Sequence, residues 1–213
     1  MTRLERLAPL TGIVAVALFV SEAIVTGATP EVNASAQEVV SYLSNNLGTQ
    51  EIAAGLFGLA ALAMVWFGAS LRAALREAAA GAERLGALAH AGTGFIAVGL
   101  AMYASFGLAK AHSVGVVPAS TSQLLNVLSN EDMFVLQAVG AALLLLSTAI
   151  AVLRHGGLPR WIGWVSLVLG VVALVALALG PFASGVGFIG FLTLVLWIPV
   201  VSILIYRRQS PVA

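Results

Sequence analysis

Apart from His90, Glu22 is the one acid or base that falls inside a long apolar stretch of this chain. It lies about six residues, roughly 9 Å, inside the end of its stretch. A charged side chain at mid-membrane costs at least about 2.5 to 3.5 kcal/mol, and less toward the edge. The residue is therefore expected to be protonated, paired or wetted. Two roles follow. Glu22 is either a proton- or cation-sensing carboxylate in an outward-opening pocket, or an interfacial carboxylate hydrogen-bonded to a neighbouring helix for structure. Lys110, the only lysine, ends the third apolar stretch at the same level and is the expected partner, with His112, Glu51, Glu131 and Asp132 nearby in depth. Gln137 belongs to a stripe, with Ala141, Leu144, Thr148, Ala151 and His155, that recurs at helical spacing and should face a bundle interior. These three, Glu22, Lys110 and Gln137, form the candidate polar membrane site, with His90, His112 and His155 ranked below.

His90 and His155 both fall toward the other side, which raises bis-histidine haem ligation. His90 is about a turn inside its helix and His155 is at or beyond a boundary, so their depths match poorly and no haem or other cofactor is expected. No cysteine is present, removing disulfides and thiolate chemistry, and Asp132 is the only aspartate. The zinc-protease, phosphate-loop and nucleophile-elbow signatures are absent from the sequence, so no catalytic residue and no metal site is expected.

The elements that must position these residues are hydrophobic helices. Apolar residues make up 60% of the 213-residue chain and charged ones 9%, against roughly 25% in a soluble domain. A water-exposed surface needs more charge than that. Six stretches reach the length of about 20 apolar residues that a bilayer requires: residues 7–28, 52–71, 85–109, 133–153, 161–180 and 187–206. A single all-α, six-span domain covering 1–213 is expected.

Arg3, Arg6, Arg72, Arg76, Arg84, Arg154, Arg160, Arg207 and Arg208 fall on one side of that arrangement and Lys110 on the other. Positive segments resist translocation, so both termini are expected in the cytoplasm. A cleaved signal peptide over 1–28 is the lesser reading, since Glu22 interrupts its apolar part. The net charge of +1 excludes a broad nucleic-acid-binding face.

Two outer connections are long enough for short amphipathic helices. Residues 35–47 place Ala36, Val39, Val40, Leu43 and Leu47 on one face, with Asn33 or Ser35 at its start and Gly48 at its end. Residues 113–132 repeat the pattern through Leu124, Leu125, Val127 and Leu128 after Pro118. Small residues should form the helix contacts, above all the His90, Gly94, Ala97, Ala101, Ala104 face of the third span, with Gly86, Gly92 and Gly99 thinning its other sides. Trp161, Trp164 and Tyr206 suit the interfacial belt, while Trp66 and Trp197 are expected to pack inside.

The run Leu158-Pro159-Arg160-Trp161-Ile162-Gly163-Trp164, which opens the fifth span, and the long outer loop with a helix before span two carry a resemblance. The layout resembles an uncharacterised bacterial six-span integral membrane family. That resemblance implies an inner-membrane bundle and no known activity. The expected role is a non-catalytic membrane partner or accessory subunit, in contact with the lipid bilayer and with a membrane protein or a second copy. The alternative is a small proton-linked carrier or sensor that uses Glu22.

Overall fold

The computed structural model describes residues 3–179 and 184–209; side chains at 3–4, 80, 130–134 and 184–193 lie outside the described set. The described residues form eight α-helices: α1 (Arg3–Leu7), α2 (Thr11–Thr26), α3 (Ala36–Asn45), α4 (Leu47–Ala78), α5 (Glu83–His112), α6 (Ala119–His155), α7 (Arg160–Leu179) and α8 (Ser184–Gln209). Five helical segments are long and apolar enough to cross a membrane: Glu5–Thr26, Leu47–Ala78, Glu83–His112, Val135–His155 and Arg160–Leu179. The expected sixth stretch, 187–206, falls within α8, and its first residues are among those whose side chains lie outside the described set.

Consecutive long helices pack side by side, α2 on α4, α4 on α5, α5 on α6, α6 on α7 and α7 on α8, and α8 closes back against α2 and α4. The exterior of this bundle is apolar, with Ile24, Leu59, Leu62, Val98, Val168 and Leu196 all exposed. Such a surface suits hydrocarbon as its solvent.

Close helix approach is set by glycine, on a different face of α5 from the one expected. A Cβ on Gly92 would run into the backbone of Leu144 and lie 2.7 Å from Gly140 O, while one on Gly140 would lie 2.7 Å from Gly92 O. These two glycines let the α5 and α6 backbones touch. Gly94, by contrast, faces open space and Ala101 is exposed, although Ala97 and Ala104 are buried. Because α4 and α6 flank α5 on two sides, its buried surface is wider than one small-residue stripe.

Trp66 also departs from expectation. It is 61% exposed, on the outer face of α4, whereas Trp197 is 4% exposed and donates its indole N–H to Ser166 Oγ at 2.9 Å. The expected stripe on α6 is buried from Gln137 through Ala151, but His155 at its end is exposed.

Two of the helices are longer than a membrane span requires. At 32 and 37 residues, α4 and α6 measure about 48 and 55 Å, against a hydrocarbon core of about 30 Å. The second connecting helix is therefore not separate: residues 119–139 contain no glycine or proline, and one helix runs from Ala119 through His155. Its buried face is the polar one. Ser122, Asn126 and Ser129 are buried while Leu124 and Leu128 are exposed, the reverse of a helix packing its leucines inward.

The first connecting helix does stand alone as α3. Ser35, not Asn33, caps it, and the break before α4 falls at Asn46, leaving Gly48 in the first turn of α4. Ser35 and Glu38 form a reciprocal capping box: Glu38 accepts from the Ser35 amide and hydroxyl, each at 2.8 Å, and its amide donates to Ser35 Oγ at 3.3 Å. The Ser35 amide, then its hydroxyl, hold the Glu38 carboxyl below its ordinary 4.5. A group whose pKa is depressed by folding contributes fully above its unfolded value and less as pH falls through its folded value. The Ser35 amide resonance is thus expected to titrate with a midpoint below 4.5. Ser35→Ala should move the Glu38 titration back up; a wild-type midpoint at or above the ordinary value would contradict the box.

Candidate functional site

The long helix ends, together with α3, build a polar cap at one end of the bundle. Its residues come from the end of α2, the start of α4, the end of α5 and the first turns of α6. The opposite end holds the arginines. There Arg208 joins three segments by donating to Gly157 O at 2.6 Å and Ala74 O at 3.5 Å, beside the N-terminal turn that packs on α4 and α8.

Glu22 sits on the buried face of α2 with Gly12 and Ala15 and is itself 5% exposed. Its carboxylate accepts from Thr26 Oγ1 at 2.8 Å, an i to i+4 contact within one helix. Around it stand two phenols that the sequence reading did not single out. Tyr42 on α3 and Tyr103 on α5 both lie within electrostatic reach of the Glu22 carboxylate. The Tyr42 hydroxyl donates to Thr26 O at 3.4 Å and accepts from Gln50 Nε2 at 3.2 Å. Burial first, and then the Glu22 charge, push the Tyr42 phenol above its ordinary 10.0, while the Gln50 bond draws it back. The rings of Tyr103, Phe57 and Phe19 form a row, with centroids 4.7 and 5.7 Å apart.

Lys110 is at the same end but belongs to a different network. It is 5% exposed, and Nζ donates to Asn126 Oδ1 at 3.2 Å. Asn126 Nδ2 in turn donates to Glu31 O at 3.0 Å, and Gln123 Nε2 donates to Ala34 O at 2.9 Å, so α6 holds the loop that leads into α3. Ser113 Oγ donates to Lys110 O at 2.7 Å and lies 2.6 Å from Ser122 Oγ. Among the described residues, no ion pair joins Glu22 to Lys110. Each is held by an uncharged partner, Glu22 by Thr26 one turn along α2 and Lys110 by Asn126 on α6, and the side chains of Glu131 and Asp132 lie outside the described set.

Gln137 is deeper. It is 9% exposed, reaches Ile96 O at 3.5 Å, and lines a cavity of about 30 Å³ with Ala15, Phe19, Leu100 and Ile198. Phe19 thus both lines that cavity and belongs to the aromatic row. A larger cleft, about 430 Å³, opens at the surface between Pro30, Glu31, Asn33, Ala34 and Glu38.

The three histidines do not converge. His112 makes an exposed pair with Glu51 at 3.1 Å across the cap. His90 turns toward α4 at Gly68, with Nδ1 buried and unbonded among the described residues, and its carbonyl accepts from Thr93 Oγ1 at 2.7 Å. His155 lies over Gly81 in the connection between α4 and α5. The sequence held a signal for the residues not anticipated here: Tyr42 falls between Val39 and Leu43 on the buried side of α3, and Asn126 interrupts a run of leucine and valine. Comparison of the chain with family models, with curated protein sequences and with solved structures gave no match.

Proposed function

We propose that this chain is a six-span protein of a bacterial cytoplasmic membrane, with both termini in the cytoplasm, and that it acts as a non-catalytic membrane partner or accessory subunit. The uncharacterised six-span family that its Leu158–Trp164 run resembles fits this reading. Orientation rests on the charge sorting: nine arginines near one end, Lys110 with Glu31, Glu38 and Glu51 near the other. The accessory role rests on one observation. The buried polar side chains join parts of the chain to one another, Glu22 to Thr26, Lys110 to Asn126 and Trp197 to Ser166.

The reading is tested by the mass of the particle extracted from native membranes into lipid nanodiscs, combined with proton flux in proteoliposomes. A particle larger than one copy, with no flux above empty vesicles, is the expected result. A lone monomer, or flux that follows an imposed pH gradient, would overturn it.

A second reading is favoured by the Glu22 cluster. A buried carboxylate within reach of two phenols, at the end away from the arginines, supports a sensor of the outer pH. Glu22→Gln separates the two readings: loss of a pH response with intact assembly supports the sensor, and loss of assembly without any pH response supports the subunit.

A further inference from the structure

We propose that α3 is a hinged lid over Glu22, and that the carboxyl group, by taking up or releasing one proton, sets whether the lid is shut. This deepens the pH-sensor reading and rests on it. Three observations carry it.

The first is that α3 is a rigid piece between two breaks. Its capping box and its fully buried Val39 and Leu43 make it one unit. On one side the chain leaves α2 at Gly27 with φ of +61°, a conformation that side chains rarely adopt, and stays non-helical to Ser35. On the other side Asn46, with φ of −128° and ψ of 24°, interrupts what would otherwise be one helix with α4. The loop before α3 is fastened to α6 by Asn126 and Gln123, which gives the lid a fixed pivot.

The second is what the lid covers. Tyr42 brings its hydroxyl to the last turn of α2, where Thr26 also holds the Glu22 carboxylate. The bond from Tyr42 to Thr26 O is long, at 3.4 Å, and Gln50 supplies the other hold at 3.2 Å. The third is access. The 430 Å³ cleft includes Glu38 of the lid and the loop at its pivot, so the segment that must move borders an open surface cleft.

The chemistry then fixes the direction. The Glu22 carboxyl group, 5% exposed and bonded to the Thr26 hydroxyl, has little else to solvate it as an anion. Among the described residues, the other titratable groups at this end are engaged or outward: Lys110 with Asn126, Glu51 with His112, and Glu31 and Glu38 exposed. Releasing the proton therefore favours a state in which α3 lifts and water enters. Binding it favours the shut state, and the coupling is reciprocal.

The absence of cysteine allows a direct test. Val39→Cys places a thiol on the buried face of the lid and Ser41→Cys one on its exposed face. The ratio of their labelling by a membrane-impermeant maleimide in native vesicles cancels the thiol's own pH dependence. The ratio is expected to rise about tenfold from mildly acidic to mildly alkaline buffer, and to become flat in Glu22→Gln. Tyr42→Phe, which removes the hydroxyl and keeps the carboxylate, should raise labelling in acid. A wild-type ratio independent of pH, or one that still responds in Glu22→Gln, overturns the proposal. Infrared difference spectra separate the failures. A carboxyl band that titrates and vanishes in Glu22→Gln, with flat labelling, removes the lid alone; no such band removes the sensor reading as well.

Discussion

Gly92→Ala is expected to lose most of the folded protein, although it adds one methyl group. The new Cβ would meet the Leu144 backbone and Gly140 O at 2.7 Å, and neither can move without displacing α6. Overpacking ordinarily costs about 1–3 kcal/mol; here the neighbours on the far side are backbone atoms, so the cost should fall at or above the top of that range. Gly94→Ala, two residues along the same helix, supplies the control. A Cβ there meets nothing within 4 Å, and replacing glycine by alanine within a helix gains up to about 1 kcal/mol. Thermal unfolding in detergent should therefore show Gly92→Ala far below wild type and Gly94→Ala at or slightly above it. Equal midpoints for the two variants would show that α5 and α6 are not in backbone contact. Because Gly92 and Gly140 share one contact, alanine at both should cost less than the sum of the two single changes.

That contrast also marks how far the sequence could be read. Helix positions followed from apolar length, since hydrocarbon permits few alternatives to a continuous helix. That Glu22 would not face lipid was legible because a lone carboxylate avoids hydrocarbon, and it is buried on α2. Which glycines on α5 carry the close contacts was not legible. Thirteen glycines and alanines wind around that helix, and only the positions of α4 and α6 select Gly92 over Gly94. Trp66 was assigned inward from its depth, but depth does not determine which way a side chain faces. On the first turns of α6 the leucines suggested a separate short amphipathic helix, whereas Asn126 and its serines are what the bundle encloses. Outside a membrane protein the solvent prefers leucine, so the usual inward rule loses its force near the interface. The pairing of Glu22 with Lys110 failed for a related reason. Opposite charges at one depth attract in principle, yet nearer uncharged partners, Thr26 and Asn126, already hold them.

Asn126→Leu is expected to have the second large effect, because this side chain connects a buried cation to a loop. Its carbonyl accepts from Lys110 Nζ and its amide donates to Glu31 O. Leucine fills similar space and offers neither bond. A hydrogen bond to a charged group contributes about 1.5–3 kcal/mol, and a buried polar group left without a partner costs about 1–3 kcal/mol, more if charged. The single change should therefore destabilise by about 3 kcal/mol or more. Most of that loss comes from stranding the Lys110 ammonium in a site where it is 5% exposed, rather than from the bond itself. Lys110→Met in the same chain removes the stranded charge and keeps an unbranched side chain in its place. The double variant should consequently be more stable than Asn126→Leu alone, an outcome that simple addition of two harmful changes forbids. Unfolding midpoints of the wild type, both single variants and the double complete the cycle. If the double variant is instead as unstable as the sum requires, Lys110 and Asn126 are not coupled, and the cap at this end is held by its loops alone.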